Sequence, residues 1–459
     1  MTGSETADRE TRLPLSFNQE LLCMFDSGDT AGPFGPRYHI VIGRRLTGPL
    51  DVATLHAALI DVVGRHEPLR TNVIRTGERY QQVYPPSPPD LEVRECPGLS
   101  PDERARRAES LLDELEAGRI EAADLPHLRA VLLRFDERDA VLALMTHHTA
   151  TDGWSMGILV RDLAEFYAAR RAGTVADLPP MQPYREFVAW ERERAASASA
   201  GQARRYWAET LRGGRFSALP ADHRKSAGLP HVTATYRFDL DAELLNRVRR
   251  LARSARCTPF MVLLAAYYQL VQQITGRTDL VVSTHTLGRV PGRFDNTIGS
   301  FFNFLPLRVD LAGCQDTRDL LARVRTTCMG AYEHEIPAVE IFQTAPDLMA
   351  PAMADHLTPV TFQAFPAPLT PGSTLVGDLT YSVVPRRQVS LPVTSDIPDG
   401  GVWSLRLDPA EGSSGNLTYC TNRFDEQTIV RFVDDYRTAL ERLVAGADDR
   451  VPAQPAVAP

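Results

Sequence analysis

A chain of 459 residues is too long for one ordinary hydrophobic core, so two large domains or an internal pseudo-repeat are expected. Apolar residues make up 43% and charged residues 24%, the balance of a soluble globular protein, and a net charge of −8 over this length offers no nucleic-acid surface. No apolar run reaches the ~18 residues of a membrane span. The polar start has no signal-peptide core, and the six scattered cysteines then read as reduced thiols of a cytoplasmic protein.

The opening residues read as a frayed tail. "YHIVIGRRLTG" (38–48) alternates as a strand does, and "DVATLHAALIDVVGRH" (51–66) has apolar residues at helical spacing with Asp51 placed to cap it. "LRTNVIRTGERYQQVY" has a hairpin pattern that turns at Gly77, and 101–118 reads as an acidic helix. In "LRAVLLRFDERDAVLALMTHH" two apolar strands flank the turn "DERD", and the second delivers His147 and His148 at its end. A helix follows, with Ser155 as its expected cap, Ile158, Leu159, Leu163, Phe166 and Tyr167 as its apolar stripe, and Gly173 suited to end it.

Prolines mark 172–183 as a linker, and 184–214 reads as helical, broken near its Ala/Ser-rich middle. From about 231 a second α/β pattern begins: strand, helix, a longer buried helix "TPFMVLLAAYYQLVQQITG", two strands and a helix. A Pro-rich stretch is expected over 351–372, strands return to about 420, and a helix closes the fold before a disordered tail. The expected division is 13–180 as a first α/β unit, 181–230 as a helical linker, 231–447 as a second α/β unit and 448–459 as the tail.

The segment "MTHHTATDGWSMGILV" (145–160) carries the chemistry, and it parses three ways. As metal ligands, a histidine of the pair His147 and His148 together with Asp152 lacks a third His, Cys or carboxylate at a fitting spacing. Gly153 to Gly157 fits the G-x-S-x-G elbow of serine hydrolases, but loop residues 149–152 separate the strand from Gly153, and no His-Gly-Gly segment supplies an oxyanion hole. The third parsing makes His148 a base, or a group that positions a nucleophile, at a strand end, with Asp152 either orienting the imidazole or pairing with a distant arginine. Two histidines packed at a strand end with no chemistry are the bland alternative.

"HHTATDG" (147–153) resembles the H-H-x-x-x-D-G motif of the condensation domains of nonribosomal peptide synthetases, a pattern shared with wider carrier-protein and coenzyme A acyltransferases. "LPLSFNQELL" (13–22), "RHEPLRT" (65–71), "YREFVAW" (184–190) and "IGSFFNFLPLR" (298–308) are similar to further motifs of that family, in order. The resemblance implies an α/β fold of two chloramphenicol-acetyltransferase-like subdomains in a V-shaped pseudo-dimer, with a tunnel between them and His148 at its floor. It implies transfer of an acyl or aminoacyl group, held as a thioester on the phosphopantetheine arm of a carrier protein, to an amine or hydroxyl. No other cofactor and no metal is implied.

Carried over residue by residue, the resemblance makes His148 the base or positioning group and His147 a packed neighbour. Asp152 then pairs with Arg289 to hold the loop, the N–H of Gly153 meets the developing oxyanion, and Asn303 marks the 298–308 motif. Leu21 and Cys23 stand where the opening motif usually has an Arg and an aromatic, which points to looser packing there. Arg185 and Glu186 replace small and acidic residues. Both histidines are intact, unlike the damaged motif of non-catalytic, oxygenase-recruiting domains. No adenylation segment or carrier-protein serine motif is found in this sequence, so a free-standing enzyme is expected, with an acyl or peptidyl carrier protein in trans and a small-molecule or carrier-bound acceptor. Free-standing relatives include amide-forming siderophore enzymes and ester-forming tailoring enzymes.

Overall fold

The computed structural model describes residues 12–366, 373–397, 400–408 and 412–448, so the expected frayed start and the tail from 449 onward lie outside the described residues. The first half of the chain carries β1 (Arg12–Leu13), α1 (Phe17–Met24), β2 (His39–Thr47), α2 (Val52–Arg65), β3 (Thr71–Ile74), β4 (Tyr80–Val83), β5 (Asp90–Glu95), α3 (Pro101–Glu116), β6 (Arg129–Arg134), β7 (Asp139–His147) and α4 (Gly153–Ala172). Two helices, α5 (Tyr184–Ala195) and α6 (Ala198–Thr210), lead into the second half. There follow β8 (Ala218–Pro220), β9 (Thr233–Leu240), α7 (Ala242–Ser254), α8 (Pro259–Thr275), β10 (Asp279–Thr286), β11 (Asn303–Asp310), α9 (Thr317–Glu333), α10 (Ala338–Thr344) and α11 (Ala350–Met353). The chain continues through β12 (Leu357–Pro366), β13 (Ser373–Val376), β14 (Leu379–Val383), β15 (Ser390–Leu391), β16 (Gly401–Asp408), β17 (Gly412–Cys420) and α12 (Glu426–Asp448).

Local chemistry sets these boundaries. The Asp51 carboxylate accepts from the Thr54 N–H at 2.6 Å and caps α2. Gly173 ends α4 in the left-handed conformation, φ +67°. In the first large sheet, ordered β13-β14-β2-β7-β6-β5, only the β5–β6 pair is parallel. Leu132, Leu142 and Leu144 point to one face, where Leu55, Leu59, Leu159 and Leu163 of α2 and α4 cover them. Val131, Leu133, Val141 and Ala143 point to the other, against Leu111 and Leu112 of α3. Burial on both faces explains why β6 and β7 read as continuous apolar runs.

The second large sheet runs β15-β9-β17-β16-β12-β8, with β12 and β16 parallel. One face packs Phe362, Trp403, Leu405 and Leu417 against α8, whose Tyr267 ring stacks on Phe362 at 4.7 Å. Arg423, fully buried behind β12, donates to the Thr358 hydroxyl and to the carbonyls of His223, Asp355 and Leu357.

Two expectations need correction. The Pro-rich stretch is largely strand: β12 occupies 357–366, and Pro359 sits near its start, where the pairing changes from β8 to β16; 367–372 lie outside the described residues. Nor do consecutive segments account for the sheets. β14, far along the second half, pairs with β2, and Leu379 and Tyr381 complete the first half's core. β8, inside the expected linker, is an edge of the second sheet.

Leu379, fully buried, therefore belongs to a core built more than two hundred residues earlier. Leu379→Ala is expected to destabilise the protein by about 2–5 kcal/mol, read from the shift of a urea-unfolding midpoint. A change near zero would show the hairpin to be an appendage.

Candidate active site

The antiparallel register of β2 and β7 sets His39 opposite His147, so Tyr38 lies opposite His148. The His148 N–H donates to the Tyr38 carbonyl at 2.9 Å, and the two rings stack, 4.8 Å between centroids. Phe302, from the second half, meets the imidazole edge-on at 5.2 Å. His148 Nδ1 lies 2.8 Å from the Thr151 carbonyl, which can only accept, so Nδ1 carries the proton. Nε2 is then the basic nitrogen, with no hydrogen-bond partner among the described residues. The side chain keeps partial solvent access, but enclosure on most sides holds its pKa below the usual histidine value, against the opposing pull of Asp152. The imidazole is neutral at pH 7.

His147 is its opposite. It is fully buried, with Nδ1 2.8 Å from the Thr149 hydroxyl and Nε2 3.1 Å from the Gly35 carbonyl, so its proton sits on Nε2 and neither nitrogen is available. Burial keeps it neutral, far below its ordinary pKa. Behind it lies His127, pushed down to about 4 by burial.

Asp152 closes the loop. It caps α4 by accepting from the Ser155 N–H at 2.7 Å, and its two oxygens lie 3.0 and 3.1 Å from Arg289 Nη2. The Arg289 side chain is 3% exposed; its Nη1 donates to the Phe294 and Thr297 carbonyls, and its guanidinium lies 3.8 Å over the Phe301 ring. The preceding Gly288 has φ +61°, and a Cβ there would meet the Phe301 carbonyl at 1.8 Å. Gly153 opens α4 and is exposed, with nothing within 4 Å of where a Cβ would stand. As the first residue of a helix, its N–H has no intrahelical acceptor.

Other expectations change. Ser155 is not the cap. It sits one turn in, fully buried, with its hydroxyl donating to the Gly299 carbonyl and accepting from the Gly299 N–H and Arg289. A serine so enclosed cannot act as an elbow nucleophile. Leu21 and Cys23 are both buried, so the opening motif is tightly packed despite its substitutions. Arg185 makes a two-pronged ion pair with Glu67 of "RHEPLRT", which accounts for its presence. Asn303 clasps the chain after α9 by donating to Glu335 and the Ile336 carbonyl and accepting from the Ala338 N–H. No group of three or more His, Cys, Asp or Glu among the described residues is placed to hold a metal ion.

Sequence reasoning missed Tyr38, Phe302 and His285. Pairing the strand that starts at 38 with the one that ends at 147 would have found Tyr38. Phe302 stood unremarked inside the 298–308 motif. His285 gave no local signal.

Two α/β sheets, with a loop histidine fixed at one nitrogen and open at the other, define a two-lobed acyltransferase type of fold. The family model for the condensation domain matches residues 10–351. The chain is 31% identical over 461 residues to one of the linear gramicidin synthase proteins of Brevibacillus parabrevis, covering 98% of this chain but 6% of that protein, so it spans only a small part of such relatives. It is 47% identical to the SgcC5 protein of Streptomyces globisporus, with a TM-score of 0.90, covering 94% of this chain and 98% of that one. The X-domain from teicoplanin biosynthesis is 25% identical, with a TM-score of 0.75 and 95% of each chain covered. The chain belongs to the condensation-domain family of nonribosomal peptide synthetases, whose members form amide bonds by acyl transfer and work with carrier-protein domains.

Asp152→Asn removes the negative charge from a buried pair, leaving Arg289 uncompensated, and should cost about 3–5 kcal/mol, measured by chemical denaturation. Acid should act early as well. Burial lowers the pKa of His39, His66, His127, His147, His148 and His285. Their neutral forms favour the fold fully above about pH 6.5, where the unfolded chain begins to take up protons. That stability is lost as pH falls from there toward about 4, where His127 and His285 titrate. Glu191, raised to about 8 by burial, runs the other way and offsets part of the loss. Urea midpoints at pH 7, 6 and 5 should fall stepwise, whereas a flat series down to pH 5 would contradict this reading.

Proposed function

We propose that this chain is a free-standing condensation enzyme of natural-product biosynthesis, acting in the cytoplasm. It takes an acyl or aminoacyl group from the phosphopantetheine arm of a carrier protein in trans and transfers it to a hydroxyl or amine acceptor. The observation that carries the reading is His148, neutral, its proton committed to Thr151 and its Nε2 open. A hydroxyl acceptor is favoured by one finding: SgcC5, 47% identical along nearly its whole length, was crystallised with (R)-(-)-1-(2-naphthyl)-1,2-ethanediol and sucrose. The acceptor here is accordingly a small hydroxylated molecule, and the bond formed an ester.

The chemistry follows from the geometry. The acceptor O–H donates to His148 Nε2, which orients the oxygen toward the thioester carbonyl carbon. As the C–O bond forms, the proton passes to Nε2 and the carbonyl oxygen becomes an oxyanion. The free N–H of Gly153, at the positive end of α4, meets that charge. Collapse breaks the C–S bond, and the proton held by the imidazole leaves with the thiol. A depressed pKa keeps the imidazole ready to accept at neutral pH but makes it a weaker base, so positioning contributes a large share. His147, Asp152, Arg289 and Asn303 act by holding the frame, without touching substrate.

The test incubates wild type, His148→Ala, Gly153→Ala and Ser155→Ala with an aminoacyl carrier-protein thioester and a panel of alcohols and amines, with products read by mass spectrometry. Ester formation by the wild type and Ser155→Ala, with a loss of a hundredfold or more in His148→Ala, is the expected result. Gly153→Ala keeps the backbone N–H and has open space for its methyl group, so it should fold and turn over like wild type. The acidic limb of kcat/KM should fall below the ordinary histidine range. Equal rates with coenzyme A thioesters would favour a small-thioester acyltransferase, and transfer by none of the variants would favour a recruiting module.

A further inference from the structure

His285 lies near the end of β10, on the second half's side of the site. Its Nδ1 is hydrogen-bonded to Gln363 Oε1, and the Gln363 amide donates in turn to the Ser404 hydroxyl, its register partner across β12 and β16. Strand alternation places Gln363 and Ser404 on the face of the second sheet opposite Phe362 and Trp403, away from the core. Asn416, Thr418 and Thr235 continue that face in a hydrogen-bonded row. At Arg237 the same face reaches the first half, where the guanidinium meets Glu116 of α3 at 3.2 Å. A polar strip therefore runs along the outer face of the second sheet, from His285 to the contact with α3.

One atom on this strip is unsatisfied. His285 Nε2 is buried and has no hydrogen-bond partner among the described residues, although the other ring nitrogen is firmly held. A buried polar nitrogen left unpaired is costly and calls for a partner from outside the protein. Its neighbours show where that partner would stand. Phe302 packs edge-on against His285 at 5.6 Å and against His148 at 5.2 Å, so the two imidazoles flank one ring. Phe304 holds the far side of His285 at 4.1 Å.

We infer that His285, fixed by Gln363 and Ser404, is a second acceptor-binding group, whose Nε2 takes the hydrogen bond of the acceptor hydroxyl that does not react. The inference rests on the reading of His148 as the centre of acyl transfer to a hydroxylated acceptor. The inferred contact is with a second hydroxyl of the acceptor, on the His285 side of the Phe302 ring, while the reacting one lies at His148. The Gln363 amide oxygen can only accept, so His285 Nδ1 carries the proton and Nε2 is an acceptor, which suits a hydroxyl donor. An acceptor with a single hydroxyl would leave Nε2 bare.

The test compares 1-(2-naphthyl)-1,2-ethanediol with 2-(2-naphthyl)ethanol, which lacks the second hydroxyl, using aminoacyl-pantetheine thioesters as donors. Wild type should favour the diol by about tenfold or more in kcat/KM. In His285→Ala that ratio should collapse toward one, with the loss falling on the diol, and His285→Gln should restore part of it. A ratio that survives His285→Ala overturns the proposal. So does an equal loss on both alcohols in a protein that melts like wild type. Should wild type acylate amines and neither alcohol, the hydroxyl reading of His148 fails, and calorimetric titration of the diol into His148→Ala decides the site separately. Binding abolished by adding His285→Ala upholds the second group, and binding unaltered by it refutes it.

Discussion

Everything around His148 depends on one buried ion pair. Asp152 belongs to the loop that follows β7, Arg289 to the loop that follows β10, and almost no solvent reaches either. Taking two charges out of water costs several kcal/mol per ion, and only good geometry with further hydrogen bonds offsets it. Here the carboxylate also accepts from the Ser155 and Phe301 N–H groups, while the guanidinium reaches two carbonyls and the Ser155 hydroxyl. The pair thus sews the start of α4 to the 294–301 segment. The loop it closes places the Thr151 carbonyl under His148 Nδ1.

Two neighbouring histidines are held as opposite tautomers by the same device, a carbonyl that can only accept. In His147 both ring nitrogens are consumed inside the protein; in His148 one is consumed and one is left over. The difference arises from β-strand alternation at a strand end, where consecutive side chains leave on opposite faces. Desolvation lowers the basicity of both, but it has a functional outcome only where a nitrogen remains open.

Much of this was legible beforehand. Alternation placed β2, continuous apolar runs placed β6 and β7, which are buried on both faces, and helical spacing placed α2 and α4. The Asp152–Arg289 pair came from motif resemblance, since no local pattern links residues so far apart in sequence. What stayed hidden was long-range. Ser155 passed for a cap because capping is read from the nearest polar side chain, whereas Asp152 had the reach. Pro359 masked a strand, because a proline near a strand's end is tolerated where pairing changes partner. Tyr38, Phe302 and His285 gather around the site only through sheet register and a crossing of halves.

That crossing has a consequence for how the chain is made. A ribosome releases β2 and β7 long before β14, so the first half's sheet must wait through more than two hundred residues with β2 as an open edge. An unpaired edge flanked by apolar surface invites pairing with other nascent chains. Across β2, Gly43 lets Leu112 of α3 lie close against the strand, and a Cβ there would meet that side chain at 2.7 Å. The helix can therefore shield one face of the sheet during the wait. Cutting the protein at the apparent boundary between its halves would make that wait permanent, so the halves are inseparable as fragments even though each is built around its own sheet.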